Sequence, residues 1–141
     1  MALSALSFVQ ASKKSEIAGL QQLLQLGELV GAVSLMIHAL QRERGTSNIF
    51  LCSHGNTWGK QLSERALEVR KAEEAVSQWL ASQDLTGPNL ANAQRLLSRI
   101  ASVLHSLSTL PQLRQQVLGL SISQPDAMNA YNEVIRSHLS L

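Results

Sequence analysis

LLQLGELVGAVSLMIHALQRERGTSNIFL, residues Leu23 to Leu51, places residues alternately three and four apart along one line: Leu23, Leu26, Val30, Val33, Ile37, Leu40, Arg44, Ser47 and Leu51. Apolar residues at that spacing form the seam of a long helix packed against others. Arg44 falls in register with the core. A guanidinium keeps its proton, and removing it from water costs several kcal/mol unless an anion and good hydrogen bonds offset the loss. Arg44 is therefore expected to meet something negative. One candidate is a carboxylate on a neighbouring helix, such as Glu73 or Asp126. The other is a small planar oxyanion gripped by the fork of the guanidinium, with Ser47 adding a hydroxyl one turn on.

Ser15 followed by Glu16 reads as the start of this helix and His54-Gly55 as its stop. Gly27 and Gly31 are compatible with close helix contacts, while Gly45-Thr46-Ser47-Asn48 is a run of poor helix formers. A second helix is predicted from Asn56 or Thr57 to about Ser82. It buries Leu62, Ala66, Val69, Ala72, Val76 and Trp79 and turns Glu64, Glu68, Lys71 and Glu74 to water. Asp84 to Pro88 reads as a turn, and Leu90, Ala93, Leu97, Ile100, Leu104 and Leu107 form the seam of a third helix. Thr109 and Gln112 have the spacing of a capping box that opens a short helix ending near Gly119. Ser123-Gln124-Pro125-Asp126 opens a last one, with Met128, Tyr131, Val134, Ile135 and Leu139 inward. No segment alternates with the period of a strand. The fold expected is all-α: one domain over residues 1–141, an up-and-down antiparallel bundle with a long first helix and short closing helices.

Composition narrows the function. Lys plus Arg exceeds Asp plus Glu by only two, 12 against 10, and the basic residues are scattered, which does not describe a nucleic-acid surface. The single cysteine, Cys52, cannot form an internal disulfide and suits a reducing compartment. No apolar run is read as approaching the ~20 residues of a membrane span, and the expected location is cytoplasmic. His38, His54, His105 and His138 fall on different predicted elements, without metal-ligand spacing. His38 reads as a partly buried structural histidine. Neither an activated nucleophile nor a glycine-rich phosphate loop is present, so the chain does not read as an enzyme or as the holder of a cofactor. Arg42 lies off the seam and reads as a solvated charge, Arg114 as a residue that snorkels to solvent. Trp58 and Trp79 read as helix-packing residues.

The segment Ile37 to Leu51 resembles the signature of the nitrate- and nitrite-sensing (NIT) domain, in which a Leu-Gln-x-Glu-Arg-Gly-x-Ser core sits late in a long helix. Leu113 to Val117, followed by Ser123, Asp126 and Ala130-Tyr131, resembles a second family pattern: a short helix with an arginine, a turn, and a helix with an alanine-tyrosine pair. The resemblance implies a helical, non-enzymatic sensor of bacterial signalling proteins, closest to nitrate-responsive transcription antiterminators that carry an RNA-binding ANTAR domain. It makes Arg44 the signature arginine and Ser47 the signature serine of an anion site, with Arg42 and Arg114 as secondary candidates. The ligand is nitrate or nitrite. The family's domain is longer than this chain and draws a partner arginine from a later half, so the chain resembles an N-terminal half. The partners implied are that C-terminal half or an output domain. The exposed face such a half would leave suggests a homodimer, and the alternative reading is a ligand-free interaction or dimerisation module. Direct nucleic-acid binding by this segment and membrane association are not expected.

Overall fold

The structure, a computed structural model, describes residues 4–82 and 90–140, with side chains from residue 94 in the second stretch. The turn expected at Asp84 to Pro88 and the inward side chains of Leu90 and Ala93 lie outside the described residues. Five helices follow one another: α1 (Ala5–Cys52), α2 (Gly59–Ala81), α3 (Leu90–Leu107), α4 (Leu110–Leu118) and α5 (Gln124–Leu139). No strand occurs among the described residues. The all-α bundle expected from the periodicity is the fold observed.

Several helix starts differ from the sequence reading. Ser15 does not open α1. Ser4 does, its hydroxyl accepting from the Ser7 N–H at 3.1 Å, because nothing between Ala5 and Lys14 breaks a helix. α2 starts later than Asn56, since Trp58 stands in the left-handed region (φ 72°) and helical geometry begins only at Gly59. The side chain of Trp58 is exposed, whereas Trp79 is half-buried and donates its indole N–H to the Gln25 carbonyl at 2.9 Å. Thr109 forms no capping box. It is itself helical, so its hydroxyl turns back to the Ser106 carbonyl at 2.7 Å. Ser123 caps α5 as expected, accepting from the Asp126 N–H at 3.2 Å.

The principal correction is the core line of α1. The fully or nearly fully buried residues run Leu29, Val33, Met36, Leu40, Glu43, Ser47 and Phe50, while Leu23, Leu26 and Val30 are exposed. Around this line α1 packs along α2 and α5, and α3 and α4 close against α5. Leu62, Val69 and Val76 of α2 join Tyr131, Val134 and Ile135 of α5 in one hydrophobic core. On α5 the inward residue near the C-terminus is His138, and Leu139 is exposed. Glu68, expected in water, is half-buried and paired with Arg42 at 3.2 Å and Arg65 at 2.8 Å.

The other correction concerns hydropathy. α1 is long and apolar enough to cross a membrane by length and composition, with an 18-residue window of mean hydropathy 1.6 of which 28% is buried in the bundle. Gln25, Glu28 and His38 interrupt the apolar residues between Leu23 and Leu40, so no unbroken apolar run of that length is present there.

Candidate anion site at the α1–α5 contact

The charge on the core line is Glu43. It is wholly buried, and both Nε and Nη2 of Arg114 converge on its Oε1, at 2.8 and 2.7 Å. Nη2 approaches off the hydrogen-bonding direction, so that contact is ionic, and Glu43 Oε2 has no hydrogen-bond partner. Beside the pair, Ser47 donates its hydroxyl to the Tyr131 oxygen at 2.9 Å, both residues being fully buried. Burial first, and the nearby Glu43 carboxylate second, hold the Tyr131 phenol far above its ordinary titration range. The result is a closed polar knot within the bundle that ties α1 to α4 through Glu43 and Arg114, and to α5 through Ser47 and Tyr131.

Arg44 points out of the same turn to the side. Its side chain is half-buried, and Nη1 donates to Asn132 Oδ1 of α5 at 2.8 Å. The carboxylate partner expected from the sequence is not there: Asp126 is exposed, and no acidic group among the described residues pairs with Arg44. Arg44 does lie at a helix–helix contact, as its neighbours on the seam predict. Arg42 is paired with Glu68 rather than merely solvated, and Arg114 is held by Glu43 rather than reaching solvent. The four candidate residues are therefore divided. Ser47 and Arg114 belong to the buried knot, Arg44 to the α1–α5 contact, and Arg42 to the α1–α2 groove.

Two clefts accompany these groups. One of about 450 Å³ opens between α2 and α4, with Arg70 at its side and Arg114 and Tyr131 in its lining. The other, about 330 Å³, lies between α1 and α2 and is lined by Leu35, His38, Arg42, Glu68 and Lys71 among others. Arg44 lines neither. His38, expected to be partly buried, is exposed in that groove. No group of three His, Cys, Asp or Glu side chains among the described residues could hold a metal ion.

His138, which sequence reasoning passed over, is the buried histidine. Nδ1 lies 2.8 Å from the Val134 carbonyl oxygen, which fixes the proton there, and Nε2 has no partner. Burial lowers its pKa, opposed by the Val134 carbonyl and the Glu73 charge. The consequence has a definite sign. The unfolded chain takes up this proton near pH ~6.5 while the folded site resists it, so stability is constant above that pH and falls as pH drops below it. Thermal melts between about pH 7 and pH 5 should show that fall, and His138→Leu should remove the part of the slope nearest pH 6.5. An unchanged slope in the variant would assign the acid sensitivity elsewhere.

Asn132 and Glu43 are the other residues the sequence reading missed. Asn132 carries no signal, being one polar residue on an amphipathic helix. Glu43 carried one: it sits one residue from Arg44, in a motif singled out for its arginine.

A family described as nitrate and nitrite sensing matches residues 35–141. The nitrate regulatory protein of Klebsiella oxytoca is 34% identical over 122 residues, covering 86% of this chain and 30% of that protein. The solved structure of the NasR transcription antiterminator superposes with a TM-score of 0.78 at 29% identity, over 96% of this chain and 35% of that one. The chain thus spans about a third of the length of these relatives. On this sequence and fold evidence the chain belongs to the nitrate- and nitrite-sensing family, as a regulatory domain and not an enzyme.

Proposed function

We propose that this helical domain senses nitrate or nitrite through Arg44. One observation carries the reading: of the three candidate arginines, Arg42 and Arg114 are already neutralised by carboxylates, and Arg44 alone is held by a neutral amide. A half-buried guanidinium with an uncompensated charge and a displaceable partner suits a small planar monoanion, which accepts two parallel hydrogen bonds from the fork. Ser47 joins the site only when Tyr131 releases its hydroxyl. In the resting arrangement it holds α5 in place, so that Asn132 is presented to Arg44.

Transmission follows from what the anion displaces. Taking Arg44 away from Asn132 removes a tie between α1 and α5 next to the Ser47–Tyr131 bond, and the two helices then settle into a different packing. A covalently attached output domain, or the remainder of the sensor, reads that shift. The relatives extend well beyond this segment, and the regulation supported by their names is nitrate-dependent transcription antitermination.

The chain alone offers one arginine in a partly open contact, where an ion pair is worth only about 0.2 to 1 kcal/mol. Calorimetric titration should therefore give weak nitrate binding by this chain and clearly stronger binding by the full-length nitrate regulatory protein, with chloride and sulfate as controls. Arg44→Ala should abolish the residual nitrate heat of this chain. Unchanged nitrate binding in that variant would remove Arg44 from the site.

A further inference from the structure

One position on α5 decides whether the charge of Arg44 is compensated. For a half-buried guanidinium the strong partner is a carboxylate, which takes two parallel hydrogen bonds from the fork. α5 carries such a group next to the contact, since Glu133 follows Asn132. Successive residues of a helix point about 100° apart, so only one of the two faces Arg44. Asn132 is half-buried and accepts from Arg44 Nη1 at 2.8 Å. Glu133 is turned outward, its side chain 70% exposed and paired with Arg136 at 2.7 Å.

The orientation of α5 is fixed by its other ties to α1. Tyr131 is fully buried and accepts from Ser47 at 2.9 Å, and Gln124, at the start of the helix, donates to Asn48 Oδ1 at 2.6 Å. Turning α5 far enough to bring Glu133 to Arg44 would draw Tyr131 out of the core. Among the described residues, the side-chain hydrogen bonds between α1 and α5 thus join Arg44 to an amide, a serine to a phenol, and two amides to each other. The acid next door is kept away.

We propose that Asn132 sets the anion threshold of the site: its side-chain oxygen is a built-in competitor, a neutral stand-in that occupies Arg44 until an anion displaces it. This rests on Arg44 being the anion-binding residue. While the amide holds Arg44 the site is closed, and the apparent affinity for an anion is reduced by the fraction of molecules in which the guanidinium is open. A planar oxyanion overcomes this because it takes two donors of the fork and brings the charge that the amide lacks. A carboxylate at the same position would compensate Arg44 from within and leave nothing for the ligand. The choice of amide over acid at residue 132 therefore makes the site both closed at rest and open to displacement.

The test is a nitrate titration of the isotope-labelled chain by nuclear magnetic resonance, read at the Arg44 Nε–H and the Asn132 side-chain amide, with chloride at equal ionic strength as the blank. Asn132→Ala should tighten nitrate binding about tenfold, the scale of one hydrogen bond to a charged group, a gain that misfolding cannot produce. Asn132→Asp should weaken binding by at least as much and melt no lower than the parent chain. Nitrate binding in Asn132→Ala that is no tighter than in the parent overturns the proposal, and weaker binding there makes Asn132 a ligand contact instead. Parent-like nitrate binding by Asn132→Asp overturns it as well. Arg44→Ala separates these failures from failure of the site itself. If nitrate binding is lost in Arg44→Ala, Arg44 holds the anion and only the competitor role of Asn132 has failed; if it survives, the Arg44 site and the proposal fall together.

Discussion

Arg114→Met should lower the stability of the fold by about 3 to 5 kcal/mol, the typical cost of removing one partner of a buried ion pair. The reason lies with the residue left behind. Glu43 is wholly buried, its Oε2 is already without a partner, and Arg114 supplies both contacts to Oε1. Without Arg114 the carboxylate is left buried and uncompensated. Replacing both residues, with Glu43→Met added to Arg114→Met, should restore most of the loss, since an apolar pair of similar volume often matches a buried salt bridge. Urea unfolding of the single and double variants checks this. A single variant costing under about 1 kcal/mol would mean that water reaches Glu43 and that the knot is no part of the core.

The same residue shows where the sequence was legible and where it was not. Two lines can be drawn along α1 with apolar residues three and four apart, and they share Val33, Leu40 and Ser47. Between these shared positions one line takes Val30, Ile37, Arg44 and Leu51, the other Leu29, Met36, Glu43 and Phe50. Hydrophobicity barely separates them until Arg44 and Glu43, where each offers a charge to the core. The choice is made by what faces the helix. Arg114 arrives on α4 to neutralise Glu43, and no carboxylate arrives for Arg44. Partner geometry across about seventy residues of chain leaves no periodicity to read. The bundle itself was legible because α2 and α5 each carry one clear apolar line, and Ser123 is followed by proline and aspartate in a strong helix start. The histidines were not: His38 and His138 both adjoin apolar positions, and only the packing of α5 decides that His138 is the one inside.

Arg44→Lys should impair the nitrate response nearly as severely as Arg44→Ala when this domain replaces the corresponding stretch of the full-length nitrate regulatory protein. If charge alone recruited the anion, lysine would serve, because the site would keep its uncompensated positive charge. The geometry argues otherwise. Arg44 meets Asn132 across the α1–α5 contact with one nitrogen of a rigid planar fork, and once that amide is displaced the fork offers parallel donors in one plane to a planar oxyanion. An ammonium is a compact, strongly hydrated point charge, and losing two-point recognition of this kind costs on the order of 1 to 3 kcal/mol, about a tenfold to hundredfold loss of response at a given nitrate concentration. Stability distinguishes failed sensing from failed folding. Arg44 is only half-buried and its partner is neutral, so both variants should melt close to the parent chain, unlike Arg114→Met. The measurement is nitrate-dependent output alongside the melting temperature of each variant. Full response in the lysine variant would show that the site reads charge and not shape, and nitrate would then have to be distinguished from chloride by residues outside this segment.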